Sequence, residues 1–289
     1  MEPQRDDNVI PRAATAGLRW WDTALYVPLL YGVGWLVARP LTWIAPHLRP
    51  DQVDLAGAVL ALGLLLITLP RRIRLAWGET QPWRCLGLLG EPWACVRALL
   101  RGSLKAVVLL LGFVAVLLVT HLAQWLGEWN AGVLINAVAL AAGVGFAEEV
   151  VFRGWLWGEA SLLSTPNRAL MLQAAVFALL HPWYQQQGLP AFSLLGGLML
   201  LGVALALQRR ADRGLLWGAV GLHGVLVGGL FLLQNGLLQL SDRAPVWLVG
   251  PGLPNPNPVG GLVGWLGLSA LIMIRKAHWQ IRSSNRHQP

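Results

Sequence analysis

The sequence predicts an all-α membrane protein, a bundle of about eight transmembrane helices, and three observations lead there. The 289 residues are 55% hydrophobic and only 12% charged, with a mean hydropathy of +0.54, whereas soluble domains carry roughly 25% charged residues. The apolar residues fall in runs long enough to cross a bilayer, given tilt and some re-entrant stretches. The basic residues concentrate in every second loop, on one side of the membrane, as the positive-inside rule requires.

Residues 1–19 are polar and mixed in charge; with no apolar core or small-residue cleavage site, they read as a cytoplasmic tail and not a cleaved signal. Apolar runs then predict helices over residues 22–38, 53–69, 104–126, 132–161, 168–181, 193–208, 214–240 and 259–274. The fifth is short because Pro182 disfavours helix at His181. The stretch Pro251 to Pro258 reads as a loop. Residues 1–131 form an N-terminal region of helices and a basic loop, 132–240 a core, and 241–289 a loop, last helix and basic tail.

With the N-terminus in the cytoplasm, the inside segments hold Arg5, Arg12, Arg19, Arg71, Arg72, Arg74, Arg84, Arg97, Arg101, Lys105, Arg168, Arg209, Arg210, Arg213, Arg275, Lys276, Arg282 and Arg286, 18 in all. The outside loops hold 3, Arg39, Arg49 and Arg243. An even number of spans with both termini inside satisfies this split and an odd number breaks it. Trp20, Trp21, Trp43, Trp77, Trp125, Trp129, Trp183, Trp247 and Trp279 sit near run ends, where interfacial belts form. The net charge of +8 is accounted for by cytoplasmic loops against anionic lipid and calls for no nucleic acid. Cys85 and Cys95 lack zinc-site or disulfide spacing and read as plain thiols.

The stretch GFAEEVVFRGWLWG, Gly145 to Gly158, places Glu148, Glu149 and Arg153 inside an apolar run. Charges at that depth face a protein interior, pair, or line a functional cavity. On a helix, Glu149 and Arg153 are neighbours at i, i+4 and Glu148 points about 100° away. Counting from the turn near Leu162 to Asn167, Glu148 and His181 both lie roughly 20 Å in, and His223 roughly 15 Å beyond Arg213. One carboxylate and two imidazoles from three helices therefore share a layer. His47, His121 and His278 read as packing residues. The glycines Gly214, Gly218, Gly221, Gly224 and Gly228 give the His223 helix small faces for close approach.

Glu148-Glu149-x-x-x-Arg153, then Phe177-x-x-x-His181, then Leu216-Trp217-Gly218-x-x-Gly221-Leu222-His223 after a basic hinge, resembles the CPBP family, also called the ABI or CAAX-protease family. The resemblance covers about residues 132–240. It implies an eight-helix bundle with a conical cavity open to the cytoplasm and hydrolysis of a peptide bond in a membrane-associated protein or peptide. Carried over by position, Glu148 activates water, His181 binds and orients it, His223 stabilises the oxyanion, and Glu149 and Arg153 hold the first carboxylate. Four residues after the last histidine the family usually has Asn or a related polar residue, and here Val227 stands there. A metal-free mechanism is expected, because a helical HExxH is absent. Glu148, His181 and His223 are also a possible zinc set. The competing readings are an inactive membrane scaffold, which Val227 favours, and a proton-coupled transporter, against which stands the lack of paired repeats.

Overall fold

The computed structural model describes residues 18–275. The tail residues Arg5 and Arg12, and Lys276, His278, Trp279, Arg282 and Arg286, lie outside them. The long helices are α1 (Trp20–Ala38), α2 (Pro50–Ala76), α3 (Pro92–Val119), α4 (Ala131–Leu163), α5 (Pro166–Leu180), α6 (Leu189–Ala211), α7 (Trp217–Leu232) and α8 (Leu262–Ile274). Each predicted run corresponds to one of them. Six candidates, α1, α2, α3, α4, α6 and α7 with its extension to Leu237, are long and apolar enough to cross a membrane; α5 and α8 are shorter. The chain is an integral multi-pass membrane protein. Two three-residue strands, β1 (Ala123–Trp125) and β2 (Leu238–Leu240), pair antiparallel with Gln124 opposite Gln239.

Helix starts follow local chemistry. Glu91 caps α3, accepting from Trp93 N and Ala94 N at 2.9 and 2.6 Å, with Pro92 at the first helical position, where its missing N–H costs nothing. Asn130 caps α4 by accepting from Val133 N. Proline after His181 ends α5 at Leu180 and leaves His181 extended, with ψ 155°. The α6 end closes with Arg213 in the left-handed region (φ 56°) and Gly214 N bonded back to Arg209 O, a Schellman closure.

The described residues fall into two compact units. The first comprises the chain up to Cys85 together with Gly158–Thr165, the last turns of α4. Within it α1 and α2 approach closely, since a Cβ on Gly34 would lie 2.8 Å from Ala61 N. Glu159 is fully buried and receives Arg72 Nε and Nη2 at 2.5 and 2.8 Å and the Thr23 hydroxyl at 2.6 Å. Arg72 also covers the Tyr26 ring at 4.3 Å. The helix α2 runs through Arg71, Arg72 and Arg74 where a loop was expected, because Arg72 has this buried partner. Trp77 is buried against Gly158 and does not join an interfacial belt.

The second unit comprises Leu86–Trp157 and the chain from Pro166 onward. Here α7 is sandwiched between α3 and α4, and its glycines are the reason. A Cβ on Gly218 or Gly224 would strike Asp212 or the Ala141 carbonyl, one on Gly145 would come within 2.6 Å of Gly224 Cα, and one on Gly102 would overlap the Gly218 carbonyl. Gly202 brings α6 equally close to Ala174 of α5, at 2.9 Å. These approaches put the middle of α4, the end of α5 and the first turns of α7, which carry the polar residues, side by side. His47 and His121 are exposed and do not pack as the sequence suggested. Cys85 and Cys95 are both thiols.

Candidate active site

The middle of α4 is wound as a π-helix from Glu149 to Leu156, between α-helical Ala131–Glu148 and Trp157–Leu163. A π-turn has wider hydrogen-bond rings than an α-helix and recurs at functional sites. Here it begins between the two glutamates. It is braced from α6, where Arg209 donates through Nη1 to the Arg153 carbonyl, through Nη2 to the Leu86 carbonyl at 3.1 Å and through Nε to the Gly214 carbonyl at 3.0 Å.

Glu149 and Arg153 are sealed from solvent, and Glu149 Oε1 accepts from Arg153 Nη1 at 2.8 Å. The same oxygen lies 2.8 Å from His223 Nδ1. Glu149 was expected to hold Glu148; its partners are Arg153 and the α7 histidine. A carboxylate accepting from Nδ1–H fixes the ring orientation and leaves Nε2 to face the other way. That atom is 3.8 Å from Glu148 Oε2.

His181 is oriented in a parallel manner. Its Nδ1 lies 2.7 Å from the Phe177 carbonyl, an acceptor only, so Nδ1 carries the proton and Nε2 is turned toward Glu148 Oε2 at 3.5 Å. One carboxylate oxygen thus lies near two imidazole nitrogens, at separations beyond normal hydrogen bonds. With both rings neutral, all three atoms are acceptors, and the group they suit is a donor of protons such as water. Exposure divides the cluster: Glu148 and His181 are 29% and 24% exposed at their side chains, whereas His223 is 3%. Solvent reaches the Glu148 and His181 side chains, whereas Glu148 Oε2 itself is buried without a hydrogen-bond partner and Glu149, Arg153 and His223 are closed behind it.

Phe177, a motif position without a stated role in the sequence, is the packing centre. Its ring lies 4.1 Å from the Arg153 guanidinium carbon, 4.3 Å from the His181 ring and 5.7 Å from the His223 ring, with Phe152 edge-on at 5.1 Å. Val227 is one turn beyond His223 on α7 and half-buried. Asn235, further along, donates to the Phe231 carbonyl and is exposed. Among the described residues, no group of three or more His, Cys, Asp or Glu side chains has the arrangement of a metal site.

Sequence reasoning brought Glu148, His181 and His223 to one layer and missed three things: the π-turn, the Glu149 to His223 bond and the Arg209 brace. The last left a trace in the basic hinge QRRADRG.

Residues 108–228 match a family model described as type II CAAX prenyl endopeptidase Rce1-like. Residues 10–81 match a domain of unknown function, DUF8676. No curated protein and no solved structure matches the chain. The first match spans every residue of the cluster, so the resemblance carried by the motifs is borne out at the level of the family.

Proposed function

We propose, with the Rce1-like match over residues 108–228 as premise, that this chain is a glutamate-dependent intramembrane endopeptidase that hydrolyses a peptide bond of a membrane-associated protein or peptide. The observation that carries the reading is the placement of Glu148 Oε2, a buried oxygen without a hydrogen-bond partner on a partly exposed side chain, at 3.5 Å from His181 Nε2 and 3.8 Å from His223 Nε2. A water there gives one proton to Glu148 as its oxygen adds to the scissile carbonyl carbon, and His181 Nε2 accepts its second hydrogen and orients it. Glu148 then passes the proton to the leaving amine nitrogen as the C–N bond breaks. His223, in its protonated form, donates from Nε2 to the oxyanion, and Glu149 stabilises that imidazolium through Nδ1. Two carboxylates against Arg153 leave one negative charge in the cluster, which a single imidazolium offsets.

In this reading the bundle counts eight spans with both termini cytoplasmic, and the open edge at Glu148 and His181 faces a cavity reached from the cytoplasm. The core of the enzyme is residues 132–240. Chemistry proceeds without a metal; zinc on Glu148, His181 and His223 is the alternative, and a chelator that abolishes turnover would select it.

A second reading, a membrane scaffold, is favoured by Val227, which offers no second oxyanion donor. The test is purified wild-type protein in liposomes with a panel of membrane-anchored peptides, lipidated and not. Cleavage supports the enzyme; intact peptides across the panel, with some of them bound, support the scaffold.

A further inference from the structure

A second charged cluster lies at one end of the second unit, outside the site. Asp212, at the end of α6 and nearly buried, accepts from Arg101 Nη2 and Gln208 Nε2, both at 2.6 Å. The Gln208 side-chain oxygen Oε1 in turn accepts from Lys105 Nζ. The helix α8 arrives at the same place. A Cβ on Gly267 would come within 2.7 Å of Leu109 on α3; eight residues on from Gly267 is Arg275, and eight back from Leu109 is Arg101, about 12 Å along each helix. Lys105 lies between, and Arg101, Arg275 and Asp212 all act on it electrostatically.

Arg101 thus bonds the one carboxylate, Lys105 bonds the amide beside it, and Arg275 arrives at the end of α8 close enough to act on Lys105. Two positive charges are in excess where Lys105 is half-buried and Arg275 Nε is buried with no hydrogen-bond partner. Beside them the surface turns apolar at once: Leu100, Leu104, Val108 and Leu111 on α3 and Met273 and Ile274 on α8 are exposed. A free anion would satisfy the cations and leave that surface bare. A molecule with an anionic head and acyl chains satisfies both.

We propose that Arg101, Lys105 and Arg275 hold the phosphate of an anionic phospholipid whose chains run along the exposed faces of α3 and α8. The lipid belongs beside Arg101 and Lys105 of α3 and the end of α8, and basic pockets of this kind bind such headgroups. Charge-assisted bonds from two guanidinium groups and an ammonium fix the phosphate.

Native mass spectrometry of the full chain, titrated with phosphatidylglycerol, tests this. Wild type should keep one lipid that Lys105→Gln/Arg275→Gln binds about thirtyfold more weakly, while Lys105→Arg and the exposed control Arg97→Gln bind as wild type does. Millimolar inorganic phosphate should not displace it. Equal binding by the double variant, equal loss in Arg97→Gln, loss in Lys105→Arg, or displacement by inorganic phosphate would each overturn the proposal. Should the double variant fail to fold, Lys105→Gln alone decides, with about a fivefold loss expected and unchanged affinity overturning it.

Discussion

The Glu149 carboxylate shares a single oxygen, Oε1, between Arg153 Nη1 and His223 Nδ1, each at 2.8 Å. A residue that sequence spacing assigns to a purely structural ion pair thereby also orients the α7 imidazole. Glu149→Gln keeps an acceptor oxygen and loses the charge. In the proposed mechanism turnover should fall by roughly 10² or more, since the oxyanion donor His223 loses the carboxylate that stabilises its imidazolium, and the pH–rate profile should move with it. Because the buried Arg153 then loses the carboxylate it is hydrogen-bonded to, stability should drop by up to about 3 to 5 kcal/mol. A variant with normal turnover and normal pH profile would reduce Glu149 to a packing role.

Glu159 offers a stability test away from the chemistry. It is fully buried and its carboxylate takes three donors from Arg72 and Thr23. Glu159→Ala leaves Arg72 facing a void in the first unit and should cost about 3 to 5 kcal/mol. Thermal unfolding in detergent measures it, with a smaller loss for Thr23→Val of about 1 kcal/mol.

Much of this architecture was legible because bilayer physics is one-dimensional. Run length and arginine placement predict a helix for each of the eight apolar stretches, and Pro182 ends α5 by forcing the residue before it, His181, out of the helical region. The ends were less legible. Helices α2 and α3 extend beyond the predicted runs through Arg72 and Arg101, because each finds a partner on another element, and local polarity does not reveal that. In the site, the i, i+4 rule identified the Glu149 to Arg153 pair. It could not show that the helix widens at Glu149, since a π-turn arises from packing such as Arg209 on the Arg153 carbonyl.

Topology is open to direct labelling. With both termini inside, Cys85 and Cys95 lie in or beside the connection between α2 and α3 on the cytoplasmic side. A membrane-impermeant maleimide should reach them in inverted vesicles and not in intact cells. Labelling in intact cells would reverse the orientation and remove the cytoplasmic cavity.

Val227 sits one turn past His223 on the same face of α7. Val227→Asn should supply a second donor to the oxyanion and raise turnover by as much as roughly 10² to 10³. A polar amide in that half-buried position should cost about 1 to 3 kcal/mol if it lacks a partner. No change in turnover would mean that His223 already meets the need with a backbone group or water.

The most direct test of the central claim is single-turnover cleavage of a membrane-anchored peptide by wild type and by Glu148→Gln, in the same liposomes. The substitution is nearly isosteric at a partly exposed position, so the variant should express and unfold like wild type. Cleavage should disappear in Glu148→Gln, because the amide cannot take the proton of the attacking water. Cleavage by folded Glu148→Gln at the wild-type rate would contradict the account.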